Sequence, residues 1–447
     1  RDLGLWQYDV KQAFLQSKLD EPLYMRMPPN VPDRDADNNL MVCLLKKTLY
    51  GLRQSARAWA DTLARALQDF GFVQSAVDTC VYTWSPADMS GDDVRAVGDV
   101  TTAGMVLCVW VDDIILAYGR DVDRERFATH LKATLPVDDR GVLAWMLRMA
   151  ITRDRAACTL TISQEQYTTR LLERYLPAAA GRRNYDTPLE DGVTLTLEQC
   201  PEEGSAAHLA MAARRADYMS IVGALLWLAA GTRPDITFAT SLLARFCSNP
   251  AEEHYSALMR LLGYLRTTAG RVLRFCPDVS REIDVYSDAS WATRHSVSGG
   301  IVLYMNCPIT WWSRRQRSIA ASTTEAEYFA AALASREGVY ARDFVDSVGF
   351  PVTRPTPLFI DSKAALDLAA DPVAFKKTKH ILRHAYELRD RVLRRVFSPE
   401  YVDTTRQLAD ILTKGLRLEP HRTLLDRLLP VVDPVVAHDG AGAVGAA

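Results

Sequence analysis

Hydrophobic spacing changes character twice along the chain. Residues 1 to about 150 mix strand-like alternation with helix-like periods. The run Val106 to Ala117 (VLCVWVDDIILA) is apolar on both sides of Asp112-Asp113, which predicts a hairpin with the pair at or near its turn. Ser55 to Phe70 has apolar residues at helical spacing and is closed by Gly71, so it predicts an amphipathic helix. Ser85 to Gly104 is rich in Asp, Gly and Ser and predicts an exposed loop between two strands. Residues 160 to 275 read as mostly helical. One helix starts at Ser163 and runs through Tyr167 and Leu171 toward Tyr175. Tyr218 to Ala230 reads as a core helix. Asn249-Pro250 with Glu252-Glu253 reads as a capped helix start, with its acids at the positive end. From about residue 280, strands are expected at Glu282 to Tyr286, Gly300 to Met305, Ile309 to Ser313 and Leu358 to Ile360, with a helix from Ser322.

Acidic residues sit where this pattern makes them costly. Two adjacent carboxylates inside an apolar run lose hydration and repel each other, and divalent cations relieve both penalties. A β-turn is the plainer reading of Asp112-Asp113, since Asp favours turns. Asp9, in the strand-like stretch WQYDVKQAFL, would complete a three-carboxylate cage with that pair. Two ions about 4 Å apart in such a cage suit phosphoryl transfer. A second set comprises Asp288, Glu327, Asp361 and Asp410, each at a predicted strand end or on a helix. Taken singly, each of these reads more readily as a cap or a surface charge than as a metal ligand. Ser322-Thr323-Thr324-Glu325 fits a capping box, which gives Glu325 to the backbone and leaves Glu327 free for a metal.

Composition constrains little. The chain has 447 residues, 48% apolar and 24% charged, with a net charge of −2, so it carries no overall basic signature of a polynucleotide partner. Eight dispersed cysteines lack metal-site spacing and suit a reducing compartment. The longest apolar stretch is too short to span a bilayer.

Four blocks in order, DVKQAFLQSKLDEPLYM, LLKKTLYGLRQSARAW, DTCVY and WVDDIILA, resemble copia-type retrotransposon reverse transcriptases. YSDASWA, ASTTEAEYFAA, FIDSKAAL, KTKHI and QLADILTK resemble the ribonuclease H domain that follows them. The resemblance implies an α/β (α+β) multidomain fold. Residues 1–155 would form a palm without complete fingers, 156–278 a helical thumb and connection, 279–425 a ribonuclease H-like mixed-sheet domain, and 426–447 a disordered tail. It implies Asp9, Asp112 and Asp113 as polymerase metal ligands. Phe14 would select deoxynucleotides, with Tyr50, Gly51, Ser55 and Trp110 beside nucleotide, template or primer. Asp139-Arg140-Gly141 and Trp145-Met146-Leu147 resemble the primer grip. Asp288, Glu327, Asp361 and Asp410 match the ribonuclease H ligands. His380 matches a histidine that aids product release or contacts substrate, though it reads equally as a surface residue. Arg314, Arg315 and Arg317, with Lys376, Lys377 and Lys379, would neutralise phosphates or simply be solvated. Two Mg2+ or Mn2+ ions per site are implied. The implied partners are an RNA template, a DNA primer, deoxynucleoside triphosphates, RNA–DNA hybrid and the remainder of a Pol polyprotein, with no membrane. The implied location is intracellular, in a cytoplasmic particle or the nucleus.

Several positions depart from the family pattern: Trp110 for tyrosine, Ala56 for proline, Arg148 for glycine, Ser290 for an acid, and Leu382 and Tyr386 for an acid and a histidine. None removes a metal ligand. Almost nothing precedes Asp9, where the family places its fingers, so weak or absent primer extension by this chain alone is expected. Ribonuclease H is the activity expected to persist. The rival is a decayed remnant that binds nucleic acid without cutting it.

Overall fold

The computed structural model describes residues 3–86, 104–176, 184–292, 295–370 and 382–431. The expected loop at 85–104 falls largely outside these residues, as do His380, Lys376, Lys377 and Lys379. The chain divides into two compact units, residues 1–146 with 342–352, and residues 147–341 with 353–447.

The first unit is built on β1 (Gly4–Val10), β2 (Lys18–Arg26), β3 (Val42–Lys47), α1 (Ser55–Phe70), β4 (Val73–Gln74), β5 (Val81–Trp84), β6 (Met105–Trp110), β7 (Asp113–Tyr118), α2 (Asp121–Thr134), β8 (Val137–Val142) and the two-residue β9 (Trp145–Met146). Six strands pair antiparallel in the order β4-β5-β6-β7-β1-β8, and β2 and β3 form a separate ribbon. Side chains alternate across a sheet, so one face of β1, β6 and β7 carries Tyr8, Val10, Leu107, Ile114 and Leu116, all buried. They pack on Trp59, Leu63 and Leu67 of α1 and Phe127 and Leu131 of α2. The expected helix matches α1 residue for residue. Gly71 ends it at φ +108, the left-handed conformation that glycine reaches without a Cβ clash.

The second unit continues with β10 (Met149–Asp154), β11 (Thr159–Ser163), α3 (Glu165–Tyr175), α4 (Ala206–Gly231), α5 (Thr237–Leu243), α6 (Glu252–Thr267) and β12 (Leu273–Phe275). Next come β13 (Ile283–Ser290), β14 (Val297–Tyr304), β15 (Cys307–Arg315), α7 (Thr323–Ser347), β16 (Thr356–Ile360), α8 (Lys363–Ala370), α9 (Leu382–Leu393), β17 (Phe397–Tyr401) and α10 (Leu418–Leu428). The end of α7 belongs to the first unit. β10, β11 and β12 pair antiparallel. A five-stranded mixed sheet has the order β15-β14-β13-β16-β17. Its first three strands are antiparallel, while β13, β16 and β17 run parallel.

Several expectations need correction. Among the described residues the region 160–275 is mostly helical as expected, but 184–205 is a turn-rich loop with one short 3-10 turn, and at the two ends β11 and β12 pair through Leu160–Phe275 and Ile162–Leu273. Short apolar runs lack the length that separates strand from helix. Asn249 does not cap α6. Its amide donates to the Pro201 carbonyl at 2.8 Å, and Pro250 precedes the helix. The Ala251 N–H donates to His254 Nδ1 at 3.0 Å instead. Order extends past residue 426: α10 reaches Leu428, and Leu428 and Leu429 are buried. Among the described residues, no helix is long and apolar enough to cross a membrane.

One buried ion pair organises the helical layer. Arg233 and Asp235 are almost wholly buried and joined fork to fork at 2.9 and 2.7 Å. Tyr264 Oη donates to Asp235 at 2.6 Å, and Arg233 also reaches Thr268. Burial alone would push the Asp235 carboxyl up. The Arg233 charge and hydrogen bonds, with Tyr264, more than offset that and hold it below the usual range. A depressed folded-state value gives stability that is present above the ordinary carboxyl range and lost as pH falls through it. Asp235→Asn should leave Arg233 as an uncompensated buried charge and cost about 3–5 kcal/mol, read by urea denaturation near neutral pH. A loss below roughly 1 kcal/mol would contradict this account.

Candidate metal centres

The first acidic group forms at the end of the six-stranded sheet. Trp110 is paired with Asp113, Asp113 with Asp9, and Asp9 with Asp138, so the register sets four neighbouring strands side by side at this rim. Asp9 and Asp113 share the face away from the helices, because their neighbours Tyr8, Val10 and Ile114 point into the core. Asp112 occupies the tight turn between β6 and β7, as the hairpin reading expected. Val111 there adopts φ +57, and its carbonyl accepts the Trp59 indole N–H at 2.6 Å. The Asp112 carbonyl accepts the Val10 N–H at 2.9 Å, tying turn to strand. Burial, then the charges of Asp112 and Asp9, raise the Asp113 carboxyl, and Arg140 opposes them.

Asp138 and Lys11 of this rim escaped the sequence reading, and Arg140 entered it only as part of a resemblance. Arg140 lies 3.4 Å from Asp9 and 3.8 Å from Asp138, which also pairs with Lys11 at 2.7 Å. Arg140 stood in a block read for its resemblance to the primer grip, and only the β1–β8 register turns it toward Asp9. Two of the residues expected beside a nucleotide, Phe14 and Tyr50, also meet. Phe14 and Tyr50 contact edge to face at 5.0 Å, and Ser55 Oγ donates to the Leu49 carbonyl at 2.6 Å. Gly51 takes φ +92. Tyr50 is 54% exposed and Trp110 57% exposed. Arg148 sits at φ +63, a left-handed conformation better suited to the glycine it replaces.

The second group is tighter. In the parallel pair β13–β16, Tyr286 faces Phe359, so two residues onward the strands deliver Asp288 and Asp361 side by side. Glu327 comes from the first turns of α7. The Glu325 N–H donates to Ser322 Oγ at 3.2 Å, while its carboxylate accepts the Ala321 N–H at 2.7 Å, one residue before the expected capping-box partner. Glu325 is thus tied to the helix start. Ligand atoms of Asp288, Glu327 and Asp361 lie within 4.8 Å of one another, and among the described residues no other set of three does so. Asp288 is 2% and Glu327 9% exposed, and Glu327 Oε2 has no hydrogen-bond partner. Burial, then the Asp288 and Asp361 charges, push Glu327 up to about 9. An orphaned carboxylate oxygen in an all-oxygen donor set fits a hard divalent cation.

Asp410 stands apart from that trio. It lies on a short 3-10 helix, Leu408–Leu412, where the sequence led to the expectation of a helix from Gln407 to Lys414. Its carboxylate is 3.0 Å from Lys414 Nζ. Thr413 Oγ1 donates to Asp288, and Thr404 Oγ1 donates to Asp361 at 3.3 Å. The sequence reading missed Lys414, although its spacing from Asp410 suits an i,i+4 pair. Arg314, Arg315 and Arg317 line a cavity of 460 Å³ together with Arg336.

Residues 2–182 match the family model of the reverse transcriptase (RNA-dependent DNA polymerase). The Pol polyprotein from transposon TNT 1-94 of Nicotiana tabacum is 31% identical over 92% of this chain and 30% of its own length. That from transposon RE1 of Arabidopsis thaliana is 33% identical over 93% of the chain and 27% of its own length. The chain belongs to the copia-type retrotransposon Pol polyproteins. This Pol chain spans under a third of the length of those relatives. A solved foamy viral protease–reverse transcriptase with RNA/DNA hybrid aligns at TM-score 0.46 and 10% identity, covering 90% of the Pol chain and 44% of that structure.

Gly299 of β14 lets the Asp410 segment approach. A Cβ there would lie 2.5 Å from Thr413 Cγ2 and 2.9 Å from Leu412 Cβ. Gly299→Ala should therefore cost about 1–3 kcal/mol by chemical denaturation, as overpacking does. An unchanged midpoint would show that the segment yields freely.

Proposed function

We propose that this chain carries both reactions of a retrotransposon Pol protein, RNA-directed DNA synthesis and cleavage of RNA in RNA–DNA hybrid. On this reading residues 1–155 act as palm, 156–278 as thumb and connection, and 279–425 as the nuclease. The observation that carries the nuclease reading is the largely buried Asp288–Glu327–Asp361 trio, with Asp288 on β13, Asp361 just past the neighbouring parallel strand β16, and Glu327 supplied by α7. The polymerase reading rests on the family match together with Asp9 facing Asp113 beside the Asp112 turn.

In the nuclease, Asp288, Glu327 and Asp361 would hold the divalent ion, with Asp410 beside them. Bound ions would supply Lewis-acid activation of a water and stabilisation of the leaving oxygen. The chain's own contribution is placement. Thr413 and Thr404 fix carboxylate orientation, and the strand register sets the spacing. In the palm, Phe14 against Tyr50 forms a wall suited to the sugar of a deoxynucleotide, and exposed Trp110 offers a face to a primer end. The partners on this reading are an RNA template, a DNA primer, nucleoside triphosphates and the hybrid product.

Asp361→Asn should slow cleavage of an RNA–DNA hybrid in magnesium by roughly a hundredfold or more, the scale of removing one key electrostatic group. Hybrid that stays intact with the parent protein, or is cut equally by the variant, defeats the nuclease reading. Hybrid bound but uncut would favour a decayed binding remnant.

Glu327 sets a pH dependence. Its value near 9 in the folded protein exceeds the ordinary 4.5, so folding takes up a proton at neutral pH. Stability of the metal-free protein should fall as pH climbs between those values. Ion entry must expel that proton, so Mn2+ affinity should rise with pH over the same window. Calorimetry in buffers of different ionisation enthalpy reads the released proton directly. A binding heat independent of buffer would overturn the assignment.

A further inference from the structure

Asp288 and Asp410 differ from the rest of the nuclease cluster in what stands between them. Lys414 Nζ lies 3.0 Å from Asp410 Oδ1 and 3.7 Å from Asp288 Oδ2. Asp410 and Asp288 are each 5% exposed or less, whereas the Lys414 side chain is 39% exposed, with a path to solvent. Asp288 thus faces two ways: toward Glu327 and Asp361 in the compact trio, and toward Lys414 and Asp410 on its other flank.

We propose that the Lys414 ammonium is a built-in counter-ion filling the second cation position, so that the free protein takes one divalent ion at the trio and admits a second only when Lys414 swings out. The inference rests on the nuclease reading of this cluster. Its physical basis is charge. Two buried carboxylates need a cation between them, and a tethered ammonium provides it without recruitment from solution. A compact ammonium on a flexible stem can leave, which a metal-ligating side chain could not do without disrupting the site. The carboxylates that Lys414 vacates offer hard oxygen donors to an incoming divalent ion. A nucleic-acid phosphate arriving at the cluster gives the displaced ammonium a new partner. Substrate and second ion would therefore bind cooperatively, each favouring the arrangement that the other needs.

The test is metal stoichiometry in the full chain without nucleic acid, read by Mn2+ electron paramagnetic resonance and by calorimetry. The parent protein should bind one Mn2+ at this cluster with a much weaker second. Lys414→Met should tighten the second site by roughly tenfold or more, the scale on which a like charge a few ångströms away opposes a cation. Lys414→Arg, which keeps the charge, should behave like the parent. Thermal melting of all three proteins checks that each is folded, and if Lys414→Met does not fold, Lys414→Gln takes its place. The same affinity and stoichiometry in parent and neutral variant would overturn the proposal. Loss of the first ion in Glu327→Gln keeps the two failures apart. If Glu327→Gln binds Mn2+ like the parent, the nuclease reading of the trio fails. If it loses the ion while Lys414→Met changes nothing, only the counter-ion role fails.

Discussion

Repulsion between carboxylates is the constraint around which the chain is organised. Acids gather at one rim of each principal sheet, where desolvation and like charge both oppose them. Neither group is held by its own chemistry. The surrounding backbone holds each in place, and the two units do so by different means. In the first, antiparallel register sets Asp9 opposite Asp113, and Trp59 of α1 pins the turn that carries Asp112. In the second, parallel register aligns Asp288 with Asp361, and a capped helix start lowers Glu327 onto them.

The two rims also answer their excess charge differently. Arg140 and Lys11 stand beside Asp9 and Asp138 on a partly exposed edge, where water screens much of the interaction. At the trio, Lys414 stands on the Asp288 flank and offsets the charge only in part; Glu327 Oε2 has no hydrogen-bond partner, and burial with the Asp288 and Asp361 charges pushes that carboxyl up to about 9.

Much of this was legible in the sequence because period and chemistry coincided there. The hairpin at Asp112-Asp113 follows from apolar runs meeting a turn, and α1 follows from helical spacing closed by glycine. β13 to β16 follow from alternation bounded by turn residues, although Asp288 lies two residues inside its strand rather than at the end. What stayed hidden depended on pairing across distance. β11, β12 and β17 are short; β12 is a strand only through its pairing with β11 more than a hundred residues away, and β17 through β16. Asn249 has the chemistry of a cap, but the Pro201 carbonyl competes for it. Lys414 and Arg140 look like ordinary surface cations until the fold turns them toward carboxylates.

The pairing of Trp84 with Met105 has a consequence of its own. Trp84 closes β5 and Met105 opens β6 at the end of β6 opposite Trp110, so the ladder there does not involve Asp112 or Asp113. Lengthening or shortening the β5–β6 connection changes loop-closure entropy only slowly with residue count. The rim carrying Asp9 and Asp113 is thereby insulated from changes of chain length at this point, which makes it a natural port for grafting a foreign segment.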